Sequence, residues 1–264
     1  MCLLAGEGLR DATRRRVAPA VAGLCLLTLA MVNSCTQCTP MVETPGGQLE
    51  TLAVFGWAGV LTVGLLALWC AVLAGLVAAD HLSSTLEDGS ALLVLSRPVS
   101  RRAFALARLA GSLAISLAAA VFLLGGAGLL LAFRGELPLL PAFLAIAVTA
   151  VNCVAVAALA MLSSLYLPRI ATFLFVIGGV SAVALANLLS DSGVQLGAIF
   201  GLLNEAGPPI LSALVWALSG WSGQEAEGGA AISILVRMAI WTVGSVSSLL
   251  FLFDHRELTQ YEPR

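Results

Sequence analysis

Two short motifs carry residue types suited to covalent or redox chemistry: Gly220-Trp221-Ser222-Gly223 and Cys35-Thr36-Gln37-Cys38. The first has the Gly-x-Ser-Gly pattern of a serine nucleophile, which needs a general base within hydrogen-bond reach. The chain holds 2 histidines, His81 and His255, and both fall at the opposite ends of apolar runs from Ser222. If those runs cross a bilayer, the gap is on the order of its 30 Å hydrocarbon thickness. Serine hydrolysis is therefore not expected. A C-x-x-C pair is a disulfide, a redox pair or half of a soft-metal site. Of the other cysteines, Cys2 lies near the N-terminus, and Cys25, Cys70 and Cys153 lie within apolar runs. A closed tetrahedral zinc site within one chain is not expected. A plain disulfide between Cys35 and Cys38, or two spectator thiols, is the leading expectation. Thiol redox work and handling of a soft cation such as Cu(I) stay open.

Phosphate chemistry is limited by a missing residue type. The 13 basic residues are all arginine, so the chain has no Gly-Lys-Ser/Thr of a P-loop. If the protein uses ATP, another polypeptide binds it. The net charge of −2 gives no electrostatic reason to bind nucleic acid. No catalytic, metal or cofactor-binding residue is expected in this chain.

The elements around these motifs are apolar. Mean hydropathy is +1.00. Charged residues make up 11% of the chain, against about 25% in soluble domains. Runs longer than about 18 apolar residues read as transmembrane helices. Six spans are expected, at 17–32, 52–79, 103–133, 140–167, 170–189 and 230–253, in one all-α polytopic membrane domain over 1–264. The second, third and fourth exceed the ~20 residues that cross the hydrocarbon core, so they should tilt or extend beyond it.

Arginine placement orients the spans. With both termini cytoplasmic, the inner side holds Arg10, Arg14, Arg15, Arg16, Arg97, Arg101, Arg102, Arg169, Arg256 and Arg264. Arg108 lies within snorkelling reach of that side. Arg134 falls in an outer loop and Arg237 in the outer half of the last span, while the outer loops carry mainly glutamate and aspartate. The first run follows an arginine-rich flank but lacks a small-residue cleavage site, and is expected to be an uncleaved span. Residues 1–16 are expected to form an amphipathic segment on the inner surface, or a disordered positive flank.

Small and polar residues set finer expectations. Gly125, Gly126 and Gly128, and likewise Gly178 and Gly179, should let helices approach closely. Asn152 and Asn187 should face the bundle. In the outer segment 190–229, Pro208-Pro209 precedes an apolar run too short to cross. A re-entrant or interfacial helix is expected there, with Trp216 and Trp221 at headgroup level.

The most punctuated stretch, LEDGSALLVLSRPVSRR from Leu86 to Arg102, lies in the cytoplasmic loop 80–102. Ser84-Thr85-Leu86-Glu87 matches a capping box, so a short helix is expected to begin there. Asp88-Gly89 supplies a break, Pro98 disfavours helix at Arg97, and Ser100 is placed to cap the next span. Charge alone would follow from the positive-inside rule; the ordered punctuation would not.

From Asp80 through Ser90, and again at Leu95-Ser96-Arg97-Pro98-Val99-Ser100-Arg101, the sequence resembles the hallmark of type-2 ABC transporter permeases (the ABC-2 exporter family). That hallmark places an acidic residue before a Gly-Thr/Ser pair, followed by Leu-Leu-x-Arg-Pro-Val-Ser-Arg. Ala107-Arg108 stands where the family typically has Gly-Lys, and Ser84-Thr85 where it often has a further glutamate. The resemblance implies a non-enzymatic permease subunit of an exporter in a bacterial cell membrane. It would dimerise with a second permease, most simply as a homodimer, and pair with two cytoplasmic ATPase subunits that bind ATP and Mg. Loop 80–102 would be the coupling element, through Glu87, Asp88, Gly89, Arg97, Pro98 and Arg101. One branch of the family serves copper-enzyme maturation. A non-transporting membrane scaffold would share every compositional feature.

Overall fold

The computed structural model describes residues 23, 25–28, 30, 48–87, 100–133, 139–191, 197–222 and 228–255. Among them are seven continuous helices: α1 (Gln48–Glu87), α2 (Arg101–Phe133), α3 (Leu139–Ser164), α4 (Arg169–Asp191), α5 (Ala198–Ala206), α6 (Ile210–Ser222) and α7 (Gly228–His255). There is no strand among the described residues. In an apolar slab a helix satisfies its backbone groups within itself, so apolar runs of this length take no other open form. Five helices have the length and hydropathy to cross a membrane: α1 over Thr62–Leu82, then α2, α3, α4 and α7. The protein has the architecture of a multi-pass membrane protein. Of the expected first span, only residues 23, 25–28 and 30 are described. Gly23, Cys25–Thr28 and Ala30 are helical, and Cys25 is buried.

Local chemistry explains several helix ends. The Ser100 side chain accepts a hydrogen bond from the Ala103 N–H at 3.3 Å, the expected cap of α2. Pro141 sits in the first turn of α3, where a missing N–H does no damage. At the other end of α3, backbone turns at Leu165–Leu167 lead into Pro168, whose carbonyl accepts the first bond of α4 from Thr172. One boundary differs from expectation. No capping box opens a helix at Ser84; α1 runs unbroken through Ser83, Ser84 and Thr85 to Glu87. Nothing between Leu76 and Glu87 breaks a helix, and the first breaker is Gly89. Hydroxyl residues are tolerated inside a helix when the preceding turns are strong.

α3 is the hub, packed against α1, α2, α4, α6 and α7. Two clusters stack along the bundle. One joins Val72, Leu82, Phe104, Met161, Val176, Leu249 and Phe253; the other joins Cys25, Val63, Cys70, Leu123, Leu131, Cys153, Leu214 and Leu218. The best apolar window of α1 is 67% buried and that of α7 only 17%, so α1 is central and α7 peripheral.

Glycine makes two of the closest approaches. A Cβ on Gly75 of α1 would come 2.5 Å from Val176 Cγ1 on α4 and 3.1 Å from Val156 Cγ1 on α3. One on Gly128 would come 3.1 Å from the Ala142 Cβ, which bears out close packing for that member of the span-three cluster. Gly178 and Gly179 do not pack: a Cβ on either would meet nothing within 4 Å. They lie on the outward face of α4 beside exposed Leu174, Phe175 and Ile177.

Gly75→Val should therefore lower the thermal stability of the purified protein by about 1–3 kcal/mol, the usual cost of overpacking. Gly178→Ala should leave the melting temperature unchanged or slightly raised. Melting curves in one detergent compare the two, and equal effects would contradict the packing described.

Candidate functional site

The two flanks of the 80–102 loop are held at one end of the bundle. On the α1 side, the Asp80 carboxylate forms an ion pair with Arg169, the first residue of α4. Arg169 also lies over the Phe173 ring, 5.6 Å from its centroid. On the α2 side, the Arg102 Nε and a terminal nitrogen both donate to Asp254 Oδ2 of α7, at 3.1 and 2.8 Å. Arg101 donates to the Asp254 backbone carbonyl at 3.3 Å. One turn deeper, Phe104 of α2 stacks on Phe253 of α7, with centroids 6.0 Å apart and both rings buried. Arg108 lies over the Phe104 ring at 5.4 Å, reaching towards the same end as expected.

Magnitudes separate the roles of these contacts. The Arg102 and Asp254 side chains are 60% and 34% exposed. Pairs this wet contribute ~0–1 kcal/mol. A buried aromatic pair adds about 0.5–1.5 kcal/mol beyond the apolar area it hides. The rings therefore hold α2 to α7, and the ion pair sets the orientation of the helix end that leads into the loop.

Of the expected coupling residues, Arg101 is described and lies at this end. Glu87 closes α1 in backbone terms. Asp88, Gly89, Arg97 and Pro98 fall outside the described residues, as do Cys35 and Cys38. His81 is buried near the end of α1, and the exposed His255 ring has its Nδ1 2.8 Å from the Phe251 carbonyl. Both sit at the Asp80–Asp254 end, whereas Ser222 closes α6 at the other. Cys25, Cys70 and Cys153 are free, buried thiols within one apolar cluster. Among the described residues no group of three or more His, Cys, Asp or Glu is arranged to hold a metal ion.

The opposite end carries a second polar constellation. The segment after α4 is a broken helix pair, α5 and α6, bent by 63° at residues 207–209. Gly207, Pro208 and Pro209 are buried, so the break points into the bundle. Ile210 joins the cluster of Val176, Val180 and Val183, while Leu214 and Leu218 join that of Val63 and Leu131. The helix thus climbs from the interior towards the end remote from Asp80 and Asp254. The bent pair has the form of a broken span or of a re-entrant loop. Trp216 is half-buried against Val148, Ala213, Ala217 and Met238. α5 was not expected from the sequence. Its nine residues are too few for a clear period, although Gly197 and Gly207 bracket them.

A break inside an apolar bundle frees backbone groups that must find partners. They find side chains on α4 and α7. Arg237 of α7 donates to the carbonyls of Asn204 and, at 2.8 Å, Gly207. The Trp241 indole N–H donates to the Ala206 carbonyl at 2.9 Å. Asn187 of α4 accepts from the Leu211 N–H at 3.3 Å and donates to Asn204 Oδ1 at 2.9 Å; Asn204 in turn donates to Ser190 Oγ at 3.0 Å. The cation also meets the negative end of the α5 dipole. Gly207 itself allows the close turn, because a Cβ there would collide with the Leu203 carbonyl oxygen. Asn152, also expected to face inward, is buried on α3. An arginine inside an apolar span was the sequence signal for this network; its partners were not visible.

Asn187→Leu should destabilise the protein by about 1–3 kcal/mol, because it strands the Leu211 N–H and part of Asn204 in the bundle. Asn152→Leu is the comparison. Limited proteolysis within 192–210 should accelerate for the first variant, and unchanged cleavage would show that the network does not hold the helix pair.

No protein-family model matches this sequence, and no curated protein matches it either. The chain's own residues therefore carry the functional reading.

Proposed function

We propose that this chain is the permease subunit of an ATP-driven exporter, with six spans, both termini cytoplasmic and the 80–102 loop as the element that receives force from a separate ATPase. The reading is carried by the Asp80–Arg101 sequence pattern, together with the anchoring of both flanks of that loop at one end of the bundle. Arginine asymmetry supports placing that end in the cytoplasm. The absence of lysine, and so of a P-loop lysine, fits ATP binding by a partner.

Mechanistically, an ATPase that changes shape on binding nucleotide displaces residues 88–99. Their flanks are the ends of α1 and α2. Asp80 passes the displacement to α4 through Arg169, and Arg102 passes it to α7 through Asp254. Transport then requires the nucleotide-bound ATPase to stabilise one arrangement of these helices over another. Two permease copies and two ATPase copies complete the assembly. The cargo is exported across the membrane without covalent change, and ATP and Mg act only in the partner.

A pull-down of the tagged chain from its native membranes should bring a P-loop ATPase with it. The Glu87→Arg, Arg97→Glu double variant should lose that ATPase while eluting as a folded protein. If the parent chain brings no ATPase under conditions that preserve other membrane complexes, the protein is a scaffold and not a transporter subunit. A reporter fused after Arg264 should be active in the cytoplasm, and one inserted at 134–138 outside; the reverse result would invert the topology.

A further inference from the structure

α7, like α4 with its Arg169 and Asn187, is tied by side chains to both polar ends of the bundle, and α7 is the less buried of the two. At its last turn Asp254 holds Arg102 and Arg101, and Phe253 stacks on Phe104. Seventeen residues earlier, Arg237 and Trp241 hold the carbonyls at the end of α5 and in the break. At a rise of 1.5 Å per residue, Asp254 and Arg237 lie about 25 Å apart along one helix. Between the two attachments α7 is continuous, and its hydroxyls bond back to its own carbonyls: Thr242 to Met238 at 2.7 Å and Ser245 to Thr242 at 3.2 Å. Most of its remaining surface faces away from the bundle, with Ile232, Leu235, Val236, Ile240, Val243 and Phe251 exposed. The best apolar window of α7 is 17% buried against 67% for α1, and the less buried helix moves as a unit more readily.

We propose that α7 is a transmission rod. It links the orientation of the α2 end that leads into the 80–102 loop to the closure of the buried α5–α6 break at the other face. The energetic logic is local at both ends. Release of Asp254 frees the last turn of α7 to shift. A shift along or about its axis withdraws the Arg237 guanidinium and the Trp241 N–H from the carbonyls of Asn204, Gly207 and Ala206. A carbonyl left unmet in an apolar bundle is costly, so the break opens or re-forms around another donor. The link is reciprocal: whatever loosens the α5–α6 break must loosen the α2–α7 attachment by the same coupling free energy. It does not depend on what binds the loop, so its test contains no ATPase and stands apart from the exporter reading.

The test is amide hydrogen exchange on the full chain in lipid nanodiscs. Arg102→Glu places two carboxylates at the α2–α7 contact. It should raise exchange at the Gly207 and Leu211 amides by about fivefold, the lower end of ordinary site-to-site coupling. Adding Asp254→Arg restores an ion pair of reversed polarity and should return both amides to the parent rate. In the other direction, Arg237→Gln should raise exchange at the Ala103 and Phe104 amides by a similar factor. Amides in residues 66–74 of α1 report the core and should not change. The proposal is overturned if Arg102→Glu alters only residues 100–106 and 250–255, or if Arg237→Gln alters only 198–211. Should Arg102→Glu lose protection in the α1 core as well, the charge-swapped double variant and Arg237→Gln still decide. An outer-end rate that stays raised in a refolded swap, with no inner response to Arg237→Gln, also overturns it.

Discussion

Every backbone N–H and C=O inside an apolar slab must find a partner within the protein, and the rest of this structure follows from that constraint. Five long helices meet it internally. The exception is the buried break at 207–209, where a bend of 63° interrupts the ladder. Its free carbonyls and N–H are met by Arg237, Trp241 and Asn187, drawn from two other helices. An arginine and an asparagine in otherwise apolar spans thus answer an irregular backbone that needs strong donors and acceptors nearby. A cation suits the carbonyl end of α5 better than a neutral donor would, since it also answers the helix dipole.

The two ends of the bundle solve different problems. At the Asp80–Asp254 end the side chains have access to water, so their ion pairs add little to stability and act as orienting contacts. Burial of Phe104 against Phe253 is the stronger attachment there. At the other end the polar groups are partly or wholly buried, and loss of a partner leaves an unmet group rather than a hydrated one. The first kind of contact is suited to being made and broken. The second suits a state that is held until something withdraws its donor. Both descriptions fit a protein that passes a displacement from one face to the other.

Packing separates central helices from a peripheral one. α3 contacts five helices, and α1 is wedged against α3 and α4 at Gly75, where no side chain larger than hydrogen fits without displacing a valine. α7 has no such wedge: at Gly244 an added Cβ would meet nothing within 4 Å. α7 nonetheless enters the core through Leu249 and Phe253, so its packing on α3 is part of what holds it.

Sequence alone determined the membrane class, the five long spans and several of their ends. Hydrophobic length, Ser100 as a cap, and Pro168 as a break act through nearest neighbours along the chain. It also marked Asn187, Arg237 and the Pro208-Pro209 run as exceptions, because a polar group or a helix breaker in an apolar run is conspicuous by type. Tertiary structure decided what those exceptions meet. Gly75 and Gly178 look alike in sequence, yet one sits at a helix crossing and the other faces outward. Ser83-Ser84-Thr85 has the chemistry of a helix start, yet α1 continues through it, since an established helix propagates more easily than a new one nucleates. Arg102 and Asp254, 152 residues apart, carry no sign of each other in the sequence. Pairing over that distance depends on which helices pack side by side, and apolar faces of similar composition leave that choice to the detailed fit of side chains.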